Sequence, residues 1–154
     1  MQGFSMGGYG APRLGFKYNT FFGAVAALAG GPLQEEFLVD EGPVENKGLR
    51  EKTLKYVYGD DQNYFKQLSP WVLAEQNVNA LKQANMPIFQ AVGDRDKTLT
   101  QNEDFHERLN SLVITHEFII APGVDHDALA LFGAIETQYL GWMKKFLDAA
   151  TVDQ

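Results

Sequence analysis

Three polar residues, far apart in the chain, have the types and the order needed for nucleophilic chemistry: Ser5, Asp96 and His126. Ser5 sits in Gly3-Phe4-Ser5-Met6-Gly7, followed by Gly8-Tyr9-Gly10-Ala11. A G-x-S-x-G run suits a sharp strand-to-helix turn that lifts a serine hydroxyl out of the backbone. Small residues flank it because strand and helix come too close for a Cβ. Alone the pattern is weak: with 15 glycines in 154 residues, a chance match arises about once in ten such chains. A serine nucleophile also needs a base within hydrogen-bond reach and a carboxylate that holds the imidazole, in the chain order Ser, Asp or Glu, His.

His126 lies in Pro122-Gly123-Val124-Asp125-His126-Asp127, directly after an apolar run, and is read as the base. His106 falls on an exposed-looking helix position and His116 opens a strand, so both are read as structural. For the acid, Gly93-Asp94-Arg95-Asp96 follows a second apolar run, at the strand end where open α/β sheets place their chemistry. Asp96 is preferred because Asp94 follows Gly93 closely enough to serve as a local turn former. Asp125 and Asp127 flank the histidine and stay open as rivals. Three histidines so spaced do not make a metal cluster, and the lack of cysteine excludes thiolate chemistry, so no metal and no cofactor are expected.

The elements that must position these residues follow from apolar periodicity. Residues 21–28, 87–92 and 115–121 read as three buried strands, and 6–17, a stretch opened at Thr100 with Phe105, Leu109 and Leu112 on its buried side, and 128–147 as helices between and after them. Phe132, Ile135, Tyr139, Met143 and Phe146 give the last helix its apolar stripe. Pro12 predicts a kink or a late start in the first helix. Residues 32–48 read as a loop or excursion. A helical, aromatic stretch over 46–84 follows. Asn46 caps a helix bearing Leu49, Leu54, Val57 and Tyr58 on one face, and Ser69-Pro70 opens another that runs to about Ala84. This stretch reads as a cap over a pocket or, more simply, as core around Tyr64, Phe65 and Trp71. Thr100 and Glu103 form a capping box. Alternation of strand and helix makes the chain one α/β domain over residues 1–154, with a short parallel sheet of about three strands, and brings the loops of Ser5, Asp96 and His126 to one sheet edge.

The three motifs resemble the esterase branch of the α/β-hydrolases, near esterase D and the feruloyl esterase-like enzymes, over essentially the whole chain. The resemblance implies hydrolysis of a small carboxylic ester through an acyl-enzyme on Ser5, with His126 as base and then acid, Asp96 orienting it, and the backbone N–H of Met6 as one oxyanion donor. Members of that branch are about twice as long, so the resemblance is to a truncated, C-terminal half that begins at the nucleophile elbow. The segment that normally carries the second oxyanion donor has no counterpart here. Asp125 stands where relatives commonly carry glycine, which places an extra negative charge beside His126.

Only Met1 and Gln2 precede Gly3, so the strand that should feed the elbow is expected to be missing. In that fold the missing strand would lie beside 21–28. Its loss would leave 21–28 as an open apolar edge, and a homo-oligomer covering that edge is expected. A net charge of −7, with 13 scattered basic residues, argues against nucleic acid and membrane surfaces as partners. No apolar run approaches a membrane span and no signal-peptide pattern opens the chain, which favours a soluble, cytoplasmic protein. Two other functions stay open: a weak or inactive hydrolase fragment, and a different serine hydrolase such as a thioesterase, amidase or peptidase.

Overall fold

Two apolar runs without a polar break, Val25–Leu28 and Ile88–Gly93, form the centre of a sheet buried on both faces. The structure, a computed structural model, describes residues 1–40 and 46–152. In chain order it contains β1 (Gln2–Phe4), α1 (Met6–Lys17), β2 (Val25–Leu28), α2 (Lys47–Tyr58), α3 (Gln62–Leu68), α4 (Pro70–Gln76), α5 (Val78–Gln83), β3 (Ile88–Gly93), α6 (Leu99–Ser111), β4 (Glu117–Ala121) and α7 (Ala128–Val152). The strands lie in the order β1-β2-β3-β4 and every neighbouring pair is parallel. The class is α/β, as the strand–helix alternation predicts.

Side chains alternate across the sheet. Ala26 and Leu28 of β2 and Phe89 and Ala91 of β3 pack with Leu131, Ile135, Tyr139 and Trp142 of α7. Val25 and Ile88 turn to the other face, where Phe16 of α1 and Phe105 and Leu109 of α6 meet them. Phe16, Phe89 and Phe105 are fully buried, each stabilising the fold by about 1.5–3 kcal/mol. Along α7 the buried stripe runs through Leu131, Ile135, Tyr139 and Trp142. Phe132 is partly exposed, Met143 packs partly, and the Phe146 side chain lies outside the described residues.

The expectation of about three strands is corrected to four. β1 has only three residues, yet each is in register with β2: Gln2 with Ala26, Gly3 with Ala27 and Phe4 with Leu28. Ladder hydrogen bonds and the packing of Phe4 against the core hold it, and one apolar side chain is too little for composition to reveal it. As a consequence β2 is an inner strand, paired on both sides, and the outer strands are β1 and β4. The expected strand over 21–28 begins only at Val25: Phe21 and Phe22 donate back to the Tyr18 carbonyl in a turn, and Phe21 is 81% exposed.

The helices differ in detail from their sequence signals. α1 starts at Met6, directly after Ser5, and runs to Lys17 with Pro12 buried inside it, so no late start occurs. Residues 32–40 form no helix or strand, and the rest of that excursion, 41–45, lies outside the described residues. α2 buries Tyr58, but Leu49 and Val57 are exposed. The segment after Ser69 breaks at Asn77 into α4 and α5, with Ser69 capping α4 through the Trp71 N–H. Most of this stretch is core: Phe65 is fully buried with Tyr9, Phe37 and Tyr58, while Tyr64 is exposed. α6 begins at Leu99 with Thr98 at its cap position, not at a box from Thr100; the Thr98 hydroxyl donates to Asp96 and does not cap the helix. Among the described residues no helix is long and apolar enough to cross a membrane.

Candidate active site

Ser5 occupies the single residue between β1 and α1, with φ 57° and ψ −116°. A non-glycine residue at positive φ is strained, and such strain persists only where the surroundings over-determine it. Two close approaches do so. A Cβ on Gly3 would lie 2.3 Å from the Gly7 backbone, and a Cβ on Gly8 would lie 2.7 Å from Gly30 Cα and the Leu28 oxygen. The glycine needed against β2 is therefore Gly8, whereas Gly7 has open space around its Cβ position. The Ser5 N–H continues the strand ladder by donating to the Leu28 carbonyl at 2.9 Å, and the Ser5 carbonyl accepts from the Tyr9 N–H at 3.1 Å. Ser5 is thus anchored from the β2 side despite the shortness of β1.

The loops after β3 and β4 are tied together before they present anything. Gly93 lets the Val124 carbonyl approach to 2.0 Å from its Cβ position, so any side chain there would clash with backbone. Across this contact the Asp94 N–H donates to the Ala121 carbonyl at 3.0 Å and the Arg95 N–H to the Val124 carbonyl at 3.1 Å. Asp94 accepts from the Gly123 N–H at 2.7 Å. It is a turn former, as read from its neighbour Gly93.

These tied loops bring Asp96 and His126 to Ser5. His126 Nε2 is 2.9 Å from Ser5 Oγ. Its Nδ1 faces both Asp96 oxygens, at 3.0 Å from Oδ1 and 2.8 Å from Oδ2. An Nδ1–H donating to the carboxylate leaves Nε2 as the acceptor for the serine hydroxyl. The Asp96 side chain is fully buried and the His126 side chain is 22% exposed, so one end of the line is dry and the other open. Phe4 packs its ring 4.9 Å from the imidazole.

Other candidates lie elsewhere. Asp127 caps α7 through the Ala130 N–H at 2.8 Å. Asp125 is exposed and does not line the cavity beside Ser5. His106 and His116 pair with each other, Nδ1 to Nε2 at 2.7 Å, at the junction of α6 and β4.

Thr98 has no place in the sequence reading, although its role there is plain: its N–H and its hydroxyl both donate to Asp96 Oδ1, at 2.7 and 2.8 Å. The signal was present in Asp96-Lys97-Thr98, a spacing at which an aspartate side chain bonds the backbone two residues on. Beneath it, buried Asn102 donates to the carbonyls of Gly30 and Thr98 at 2.9 and 2.8 Å, which joins the Gly30-Gly31 loop to α6.

A cavity of about 240 Å³ opens beside Ser5 and His126, walled by Gly31, Pro32, Phe37 and Leu38 on one side and Lys97, Thr98 and Gln101 on another. Asn46, Leu49 and Arg50, at the start of α2, line it as well. The helical stretch therefore covers a pocket with its first turn and packs as core with the rest. A polar corner made by Ser5 and His126 in a partly apolar cavity has the composition of a small-molecule site.

No protein-family model and no curated protein sequence matches the chain. Solved structures do. The chain is similar to esterase B from Lactobacillus rhamnosis (17% identity, TM-score 0.69, covering 99% of this chain and 53% of that one). It is similar to S-formylglutathione hydrolase from Staphylococcus aureus (22% identity, TM-score 0.64, covering 92% and 52%) and to a ferulic acid esterase (22% identity, TM-score 0.63, covering 87% and 47%). The chain spans about half the length of these proteins, and its fold is the one they share over that half.

Proposed function

We propose that this chain, which has the fold of the α/β-hydrolase esterases, carries the acyl-transfer site of a serine carboxylic-ester hydrolase. The observation that supports this most is the unbroken hydrogen-bonded line from Ser5 Oγ through His126 to buried Asp96, ending in a cavity. The roles follow from the proton positions. As Ser5 Oγ attacks the ester carbonyl carbon, its proton passes to His126 Nε2, and Asp96 steadies the imidazolium through Nδ1–H. His126 then returns that proton to the alcohol oxygen as the acyl C–O bond breaks, leaving the acyl group on Ser5. Water, deprotonated by His126, adds to the acyl carbon, and the carboxylic acid leaves as Ser5 regains its proton.

The negative oxygen formed in each addition needs donors. Met6 is the first residue of α1, where N–H groups have no partner within the helix, and its N–H serves as one oxyanion donor. The test is hydrolysis of p-nitrophenyl acetate by the wild-type chain and by Ser5→Ala: a Ser5-dependent rate supports the reading, and equal rates reject it.

We also propose that the chain self-associates through the outer edge of β1. The expected edge, the 21–28 strand, is internal, and among the described residues the edge open on that side of the sheet is that of Gln2–Phe4.

A further inference from the structure

The cavity beside Ser5 is walled with a charge opposite to that of the chain. Over the whole sequence the net charge is −7. Yet the described residues lining the cavity include Lys97, Arg50 and the amides of Gln34, Asn46 and Gln101, and no carboxylate. Of the acids nearest in sequence, Asp125 is exposed beside His126 without lining the cavity, and three others are engaged elsewhere. Asp94 accepts from the Gly123 N–H, Asp127 from the Ala130 N–H, and the Asp96 side chain is fully buried behind His126.

The two cations are held differently. Arg50 donates its Nε–H to the Val39 carbonyl at 2.7 Å, which fixes the direction of its guanidinium. Lys97 is exposed and has no carboxylate partner among the described residues, whereas Lys47, Lys66, Arg108 and Lys145 each pair with one. Lys97 is also next in the chain to Asp96 and shares the cavity wall with Ser5 and His126. A cleft lined by one sign of charge within low-dielectric walls focuses its field on an incoming ligand, the more so on a protein whose remaining surface repels that ligand. Phe37, Leu38 and Leu49 leave apolar wall for a short hydrocarbon part.

We propose that the site takes esters that carry a carboxylate on their acyl or alcohol part, with Lys97 as the main residue that selects them; this rests on the serine-esterase reading above. No new covalent step is involved, because the carboxylate is recognised and not transformed.

The test uses two matched pairs of esters. In one, 4-acetoxybenzoate is set against its methyl ester; in the other, p-nitrophenyl hydrogen adipate is set against p-nitrophenyl methyl adipate. The quantity read is the ratio of kcat/KM for the anionic ester to that for its neutral match. In the wild-type chain the ratio is expected above one for at least one pair. It should fall about threefold in Lys97→Ala and about tenfold in Lys97→Glu, and shrink in high salt. Ser5-dependent hydrolysis with ratios at or below one in both pairs, or ratios unchanged by both Lys97 substitutions, overturns this inference and leaves the esterase reading standing. Absence of Ser5-dependent hydrolysis of all four esters overturns both.

Discussion

Thr98 holds the Asp96 carboxylate twice, with its N–H at 2.7 Å and its hydroxyl at 2.8 Å, both on Oδ1, while His126 Nδ1 lies 3.0 Å from that oxygen and 2.8 Å from Oδ2. Thr98 thus fixes the carboxylate from the side away from Oδ2, the oxygen nearer to His126. Thr98 is a positioning residue, because it reaches the reacting atoms only through Asp96 and His126. Thr98→Val keeps the N–H and the shape and removes the hydroxyl. The expected result is a fall of about tenfold in kcat/KM, from the loss of one hydrogen bond to a charged group. Thr98→Ser, which keeps the hydroxyl, should restore the rate. An unchanged kcat/KM in Thr98→Val would show that the hydroxyl has no part in the site.

The turn around Ser5 distinguishes its glycines. Gly8→Ala places a Cβ within 2.7 Å of backbone on β2 and its loop, which cannot yield as a flexible side chain does. A loss of about 1–3 kcal/mol is expected, read as a lower urea midpoint. Gly7→Ala meets nothing within 4 Å and lies in the first turn of α1, so its stability should equal or exceed wild type. Equal destabilisation by both substitutions would contradict this account of the turn.

The histidine pair at the α6–β4 junction makes stability depend on pH. His116 Nδ1–H donates to the Ile114 carbonyl at 2.8 Å, so its Nε2 accepts from His106 Nδ1–H, and His106 Nε2 faces the Asn110 amide at 3.2 Å. Burial lowers the His116 pKa from 6.5, with the His106 ring adding to the effect, against the Ile114 hydrogen bond and nearby Glu107. The unfolded chain therefore takes up the proton first. The stability from this residue is complete above about pH 6.5 and declines as pH falls through the lowered folded value. Urea midpoints at pH 8 and pH 5 should differ more in wild type than in His116→Gln. An equal difference in both would remove His116 as the cause.

Self-association through β1 predicts a dimer or larger species by light scattering at micromolar concentration. Among the described residues no strand pairs with the outer edge of β1, and neighbouring Met1 is 43% exposed. A monomeric mass under those conditions contradicts the proposal.

The order of strands and helices was legible because β2 and β3 are buried on both faces and so appear as unbroken apolar runs. Strand ends in a parallel sheet then put the loops of Ser5, Asp96 and His126 on one side without any contact being known. β1 was not legible: three residues carry too little pattern, and their place is set by register with Ala26, Ala27 and Leu28. Thr98 was hidden by the stronger helix signal at Thr100 and Glu103, although its side chain is engaged by Asp96 and not by the helix. The contributions of Asn46, Leu49 and Arg50 to the cavity arise from packing across more than forty residues of chain, which local periodicity does not encode.

The most direct measurement is to treat the folded chain with a fluorophosphonate, digest it, and locate the adduct by mass spectrometry. The account predicts one adduct, on Ser5, absent in Ser5→Ala and at least about 10³-fold slower to form in His126→Ala, where no base accepts the hydroxyl proton. An unlabelled Ser5 in well-folded protein, or an adduct on Ser69 or Ser111 instead, would contradict it.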